Sequence, residues 1–403
     1  MTRVLALLTT LALLIAACGG SGGGPAGGDA SQAAKAPVKI GGIFDLTGAT
    51  SDVSVPYADG VKDYVAFLNE KGGANGHQIT LVSDDYAYQI PRAEELYNRL
   101  VTQEGVVAIM GWGTGDTTAL VPKITKDKLP FMSASYAEDL VSDVARTPYN
   151  FMIGVTYSDQ ARVLLKYIKD TWKGSAPPKV SLSFSDTAFG RAPVEDAKKY
   201  MAANGITNTA DVIVALNSLD MSPQLLAVKN AEPDFVIMHH TAAPTAVEVK
   251  SAKQAGFTKT TLASLNWGTS EKTIELGGAA AAGMLGVEPF AFLSEDVAGL
   301  KEIKDYLQKK GKDPKTIPVN YVQGWLTMKV MAEGVKRVDG DVTGEKLKAA
   351  LETLKDFDTG GITDKVTFSA KSHRGALATR IFKADAATGV WVQVAPLTAA
   401  STR

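Results

Sequence analysis

The chain has 403 residues, more than one ordinary hydrophobic core accommodates, so two lobes or domains are expected. Its 42 basic and 43 acidic side chains leave a formal net charge of -1, which gives no reason to expect nucleic acid or an anionic membrane surface as a partner. One cysteine excludes an internal disulfide and any thiolate metal cluster, and the four histidines lack zinc-ligand spacing, so no metal or other cofactor is expected.

At the start, Arg3 precedes an apolar run from Val4 to Ala17 that is too short to span a bilayer and fits the core of a signal peptide. The run closes in Leu14-Ile15-Ala16-Ala17-Cys18. Gly19 to Ala36 is glycine-rich with little apolar bulk and reads as a flexible tether, spanning roughly 20–25 Å as a coil. Val38 to Phe44 is the first strand, followed by the polar turn Asp45 to Gly48. Ser54 and Pro56 open a helix along Ala58, Val61, Val65 and Leu68 that stops at Gly72-Gly73. Ile79 to Val82 is the next strand, and Pro91 starts the helix of Ala93, Leu96, Tyr97 and Leu100.

Val106 to Met110 is a short apolar run of the kind buried on both faces of a parallel sheet. Gly111 to Gly115 turns, and Asp116 caps a helix carrying Ala119, Leu120 and Ile124, with Pro122 awkward inside it. Leu129 to Met132 is a second strand, ending in Ser133-Ala134-Ser135-Tyr136. Both polar turns follow the carboxyl ends of strands, the edge of an open α/β sheet at which small ligands bind. Tyr149 to Gly154 reads as a connecting strand, and Ser158 and Asp159 cap the helix after it.

The alternation then repeats. Strands are expected at Val180–Phe184, Val212–Leu216, Phe235–Met238 and Leu262–Leu265, the last two ending in His239-His240-Thr241 and Asn266-Trp267. Two α/β series in tandem imply two doubly wound parallel sheets with right-handed crossovers. Helical patterns over Val297–Lys310, Val319–Val338 and Gly344–Lys355 precede strand material at Val366–Phe368, Ala378–Lys383 and Val390–Val394, as if the chain re-entered an earlier lobe.

Catalytic motifs are weak. Gly111-Trp112-Gly113-Thr114-Gly115 lacks the third glycine of a dinucleotide fingerprint, and neither a G-x-S-x-G elbow nor a P-loop occurs. His239 and His240 read better as a polar pair lining a cleft than as acid and base, and Asp84-Asp85 reads as a turn cap. Trp112, Trp267, Tyr86 and Tyr88 stand at strand ends and would wall a pocket for an apolar or aromatic ligand. The chain is not expected to be an enzyme.

Read in order, I-G-G-I-F-D-L-T-G, F-L-N-E-K-G-G-A-N-G-H-Q-I-T-L-V-S-D-D, L-P-F-M-S-A-S-Y-A-E-D-L, F-S-D-T-A-F-G-R, A-E-P-D-F-V-I-M and V-T-F-S-A-K-S-H-R-G resemble the periplasmic leucine/isoleucine/valine-binding proteins of ABC importers. The segment ending at Cys18 resembles the bacterial lipobox, with Ile15 where leucine is usual, which implies a signal peptide over 1–18, a lipid-anchored mature N-terminus and a tether over 19–36. The resemblance implies an α/β fold of two lobes joined by three crossovers, one of 37–155 plus 289–376 and the other of 156–288 plus 377–403. It further implies a monomer on the extracytoplasmic face, with a small-molecule ligand and the permease's membrane subunits as partners.

Carried over by position, the Gly113-Thr114 turn matches the turn that binds the ligand's carboxylate. Ser133, Ala134, Ser135 and Tyr136 match the second such turn, with Tyr136 where threonine is usual. Phe189 matches an aromatic from the second lobe. Asn266 falls at or beside the acid that holds an amino acid's ammonium. A buried ammonium without a counter-charge costs several kcal/mol, and an amide supplies only a dipole. The resemblance implies a branched-chain or related hydrophobic amino acid as the expected ligand, and the amide at Asn266 makes an aromatic or aliphatic acid lacking the α-amino group the alternative. A ligand-sensing domain serving a separate signalling partner is the alternative from another class.

Overall fold

A computed structural model of the chain describes residues 35–400. The leader, Cys18 and all but the last two residues of the expected tether lie outside the described residues.

The first apolar runs of the chain pair with one another in parallel. β1 (Lys35–Phe44), β2 (His77–Asp85), β3 (Ala108–Gly111), β4 (Phe131–Ser133) and β5 (Asn150–Phe151) form a sheet in the order β2-β1-β3-β4-β5. Three helices link them: α1 (Ser51–Glu70), α2 (Ile90–Arg99) and α3 (Thr114–Asp127). Because side chains on both sheet faces are covered, β3 and β4 are buried throughout, as their unbroken apolar runs predict. The register places Ile40 beside Ala108, and Gly111 beside Ser133, so the carboxyl ends of β1, β3 and β4 share one edge.

After Phe151 the chain passes to a second sheet. It comprises α4 (Tyr157–Thr171), β6 (Lys179–Ser185), α5 (Ala188–Arg191), α6 (Val194–Asn204), β7 (Thr207–Asn208), β8 (Val212–Val214), α7 (Ser222–Lys229), β9 (Phe235–His239), α8 (Ala242–Gln254), β10 (Thr261–Ser264), α9 (Glu271–Gly277) and β11 (Leu285–Glu288). These strands are parallel, and Phe184 stands beside His239 while Ser264 stands beside Met238. The loops after β6, β9 and β10 therefore gather at one edge, like those of the first sheet.

The tail re-enters the first half of the molecule. α10 (Leu300–Lys309), α11 (Val319–Lys336) and α12 (Gly344–Leu351) follow β11, and α11 lies directly on α1. Two glycines permit that approach: a Cβ on Gly60 would overlap the Tyr321 carbonyl oxygen, and one on Gly324 would overlap that of Tyr57. The chain then returns along Met152 and Ile153, whose carbonyls accept from the Gly375 and Ala376 N–H groups. β12 (Ala378–Asp385) and β13 (Val390–Ala399) finally add to β11 as antiparallel strands, giving the order β13-β12-β11-β10-β9-β6-β7, with β8 beside β6. Two doubly wound sheets joined by three crossovers are the result.

Local details depart from the sequence expectations. α1 begins at Ser51 and runs through Pro56, and α3 runs through Pro122, because burial of their apolar faces outweighs the hydrogen bond each proline removes. α4 is capped by Thr156, whose hydroxyl accepts from the Asp159 N–H, and not by Ser158 or Asp159. Val366–Phe368 is no strand; Val366 makes a single antiparallel bridge to Phe357. Among the described residues no helix is long and apolar enough to cross a membrane.

Candidate functional site

The gathered edges of the two sheets face each other around a small, nearly filled cavity. The first sheet contributes Thr50, Tyr88, Trp112, Gly113, Thr114 and Ala134 to its wall; the second half contributes Tyr157, Phe189, Thr241 and Trp267. Aromatic contacts join the two sides: the Trp112 and Trp267 rings lie 4.9 Å apart, and Tyr57 stands 6.5 Å from Trp267. The walls thus already meet.

Hydroxyls and helix-end amides supply the polar surface. Thr114 is the first residue of α3, where backbone N–H groups lack intrahelical partners and the helix dipole favours an anion. Its hydroxyl is 2.6 Å from that of Ser135. Behind it, Thr117 and Ser133 hydroxyls are 2.8 Å apart, and Ser133 also accepts from the Ser135 N–H at 2.9 Å. Ser133 and Ser135 themselves do not reach the cavity wall; they brace the turn that presents Ala134. On the other flank the Thr50 hydroxyl donates to Asp45 Oδ2 at 2.7 Å and accepts from Trp112 Nε1 at 2.8 Å, so the indole is pinned in place.

Asp116 sits just behind Gly113. It is buried, accepts from the Tyr86 hydroxyl at 2.9 Å and from the Gly113 N–H at 3.2 Å. Burial raises its pKa to about 6, a shift the Tyr86 and backbone hydrogen bonds only partly offset. It caps α3 from the third position of the helix, where the sequence reading placed it at the start. Tyr86 therefore serves Asp116 and stays out of the cavity. Tyr88 enters instead, because Ala87 and Tyr88 both adopt the left-handed conformation (φ 51° and 56°) and swing the second ring inward.

The remaining expected residues divide similarly. Phe189 lines the cavity; His239 packs behind it, with ring centroids 4.2 Å from Phe189 and 4.5 Å from Tyr157. Burial, reinforced by neighbouring His240, pushes the His239 pKa down to about 3, so its imidazole stays neutral. His240 turns away to Ser183 and Glu248, each 3.1 Å from its Nε2. Neither histidine lines the cavity. Asn266 is fully buried and takes the Gln160 side chain on its backbone N–H at 3.1 Å, while its neighbour Trp267 faces the cavity. Tyr136 stacks on the far side of Trp267, centroids 5.7 Å apart and planes 11° apart, and on Phe290. Trp267 is further fixed by donating to the Tyr157 hydroxyl at 2.7 Å.

Three wall residues escaped the sequence reading. Thr50 lies past the first polar turn, Thr241 follows the histidine pair, and Tyr157 opens α4 beside the crossover. None carries a motif; position at a strand end was the only available signal for Thr50 and Thr241, and Tyr157 offered none. Among the described residues nothing acidic or basic lines the cavity. Among the described residues no group of three or more His, Cys, Asp or Glu side chains is arranged to hold a metal ion.

Residues 37–389 match the model of a family described as periplasmic binding protein. A Leu/Ile/Val-binding protein homolog 7 of Brucella suis biovar 1 is 23% identical over 341 residues, covering 81% of this chain and 83% of that protein. A branched chain amino acid ABC transporter from Thermus thermophilus, solved with bound valine, superposes with a TM-score of 0.85 at 27% identity, covering 91% of this chain and 97% of that one. An ABC transporter substrate binding protein of Aeropyrum pernix gives 0.83 at 28% identity, with the same coverage. A fatty acid ABC transporter substrate-binding protein from Thermomonospora curvata gives 0.81 at 20% identity, covering 91% and 93%, and so shares the fold.

Proposed function

We propose, from the premise that the chain belongs to the periplasmic binding protein family, that it captures a small carboxylate-bearing solute with an apolar body outside the cytoplasmic membrane and delivers it to an ABC permease. The observation that carries this reading is the cavity itself. Its polar surface is a helix N-terminus with Thr114, flanked by Thr50 and Thr241 and suited to a carboxylate, and its body is five aromatic rings. The capturing units are lobes of 37–155 plus 289–376 and of 156–288 plus 377–403. Only a form in which both lobes touch the ligand uses the whole wall, so ligand favours closure. The protein acts as a monomer, held to the membrane by lipid on Cys18.

The first ligand class is a branched-chain or related hydrophobic amino acid, in keeping with what the Thermus relative holds. One observation favours a second. No carboxylate lines the cavity to receive an α-ammonium, and the amide of Asn266 stands outside the wall. An aliphatic or aromatic acid without the amine needs no such partner. Competition calorimetry of leucine against 4-methyl-2-oxopentanoate, and of phenylalanine against phenylacetate, separates the two. Tight leucine binding with no affinity for the amine-free acids rejects the second class. No binding of any small carboxylate rejects the transport reading as stated.

A further inference from the structure

The first turns of two helices meet across the cleft. α1, beside the first sheet, begins at Ser51; α8, beside the second, begins at Ala242. Each N-terminus carries about half a positive charge and a set of N–H groups without intrahelical acceptors. Brought this close, the two positive ends repel. One side chain lies between them. Asp52, in the first turn of α1, accepts from the Ala243 N–H of α8 through Oδ2 at 2.7 Å. Burial raises the pKa of this carboxyl group, an effect that the N–H groups of Ala243, Asp52 and Val53 only partly offset, and neither its Oδ1 nor the Thr241 hydroxyl has a hydrogen-bond partner among the described residues.

The position ties this contact to the ligand. Thr50 and Thr241, both on the cavity wall, stand two residues before Asp52 and Ala243 respectively. Asp52 itself does not line the cavity. Separation of the two halves would leave both helix ends without their shared anion, yet would expose the carboxylate to water.

We propose that Asp52 is a closure latch: a carboxylate from one half of the molecule that caps the opposing helix of the other half, holding the cleft shut around the ligand without touching it. The inference rests on the reading of the protein as a two-lobed binding protein. It makes Asp52 a positioning residue whose loss speeds ligand release while the ligand-contacting groups stay intact.

Small-angle X-ray scattering of the full chain, with and without leucine or 4-methyl-2-oxopentanoate, tests it. Asp52→Ala is expected to give a larger radius of gyration than wild type. It is also expected to bind whichever probe the wild type binds about tenfold more weakly, with the change in the dissociation rate. Asp52→Asn keeps an acceptor for Ala243 but no charge and is expected to fall between, which guards against misreading a folding defect; circular dichroism melts check both variants. Scattering and release rates equal to wild type in Asp52→Ala overturn the latch. If wild type binds neither probe, the ligand reading fails separately, and the ligand-free scattering alone decides: equal radii overturn the latch, and a larger radius in Asp52→Ala supports it.

Discussion

At Thr114 the chain concentrates its polar chemistry. The hydroxyl is shared with Ser135, and the residue opens α3, so a ligand carboxylate would meet a hydroxyl and helix-end N–H groups together. Thr114→Val is expected to weaken ligand binding ten- to a hundredfold, about 1.5–3 kcal/mol, by calorimetry. Tyr136→Phe is expected to leave affinity unchanged, since Tyr136 lies behind Trp267; a large loss there would place its hydroxyl in the site after all. Asp116 gives a pH signature. Its folded pKa of about 6 lies above the unfolded carboxyl value, so the folded chain keeps a proton that the unfolded chain has already lost. Stability therefore falls as pH rises through about 4 to 6, by on the order of 3 kcal/mol, and is flat in this term above that window. Urea midpoints measured across it should show this slope in wild type and its absence in Asp116→Asn; parallel slopes would rule Asp116 out. Much of the wall was readable in advance: Trp112, Gly113, Thr114, Ala134, Phe189 and Trp267 all follow strand ends. Tyr86 and Tyr88 were both expected there; that Tyr88 alone turns inward was not legible, because two consecutive left-handed residues decide it and no local pattern announces them.

At the level of elements, the most demanding contact is the crossing of α1 and α11, which come from opposite ends of the chain. Helix propensity alone says that Gly324→Ala should stabilise by about 1 kcal/mol. The crossing says the opposite: an added methyl meets the Tyr57 carbonyl oxygen, and either the helices part or the backbone yields. Overpacking of this kind costs about 1–3 kcal/mol. Gly324→Ala is expected to lower the urea midpoint accordingly, and a midpoint equal to or above wild type would show that the helices separate freely. The strands and helices of both sheets were legible from apolar runs and period, because burial imposes those patterns locally. The pairing of α11 with α1 was not, since it rests on two glycines more than 260 positions apart, each unremarkable in its own helix. Val366–Phe368 failed as a strand for a related reason: it has the apolar composition but only one bridging partner.

For the molecule as a whole, the question is what keeps it where a permease can be met. The chain offers little electrostatic help: its net charge of -1 gives no attraction to an anionic membrane surface, and no described helix is long and apolar enough to cross a bilayer. A lipid on Cys18 would supply the missing hold, and the chain between it and the first strand at Lys35 would act as the leash. At about 5–6 Å × √n, a flexible coil of the 16 residues between them would reach roughly 20–25 Å, enough to clear the surface while leaving the cleft free to open. The sequence carries this inference alone, through Leu14-Ile15-Ala16-Ala17-Cys18 and the glycines behind it. Cells expressing wild type should incorporate a labelled fatty acid into the protein and retain it in the membrane fraction. Cys18→Ser should take no label and accumulate as soluble or uncleaved protein, with its ligand affinity unchanged because the cavity lies wholly within residues 50–267. Wild type without label, and a variant that sediments with membranes just as wild type does, would mean that Cys18 is an ordinary residue of a secretory leader and that the protein meets its permease from solution.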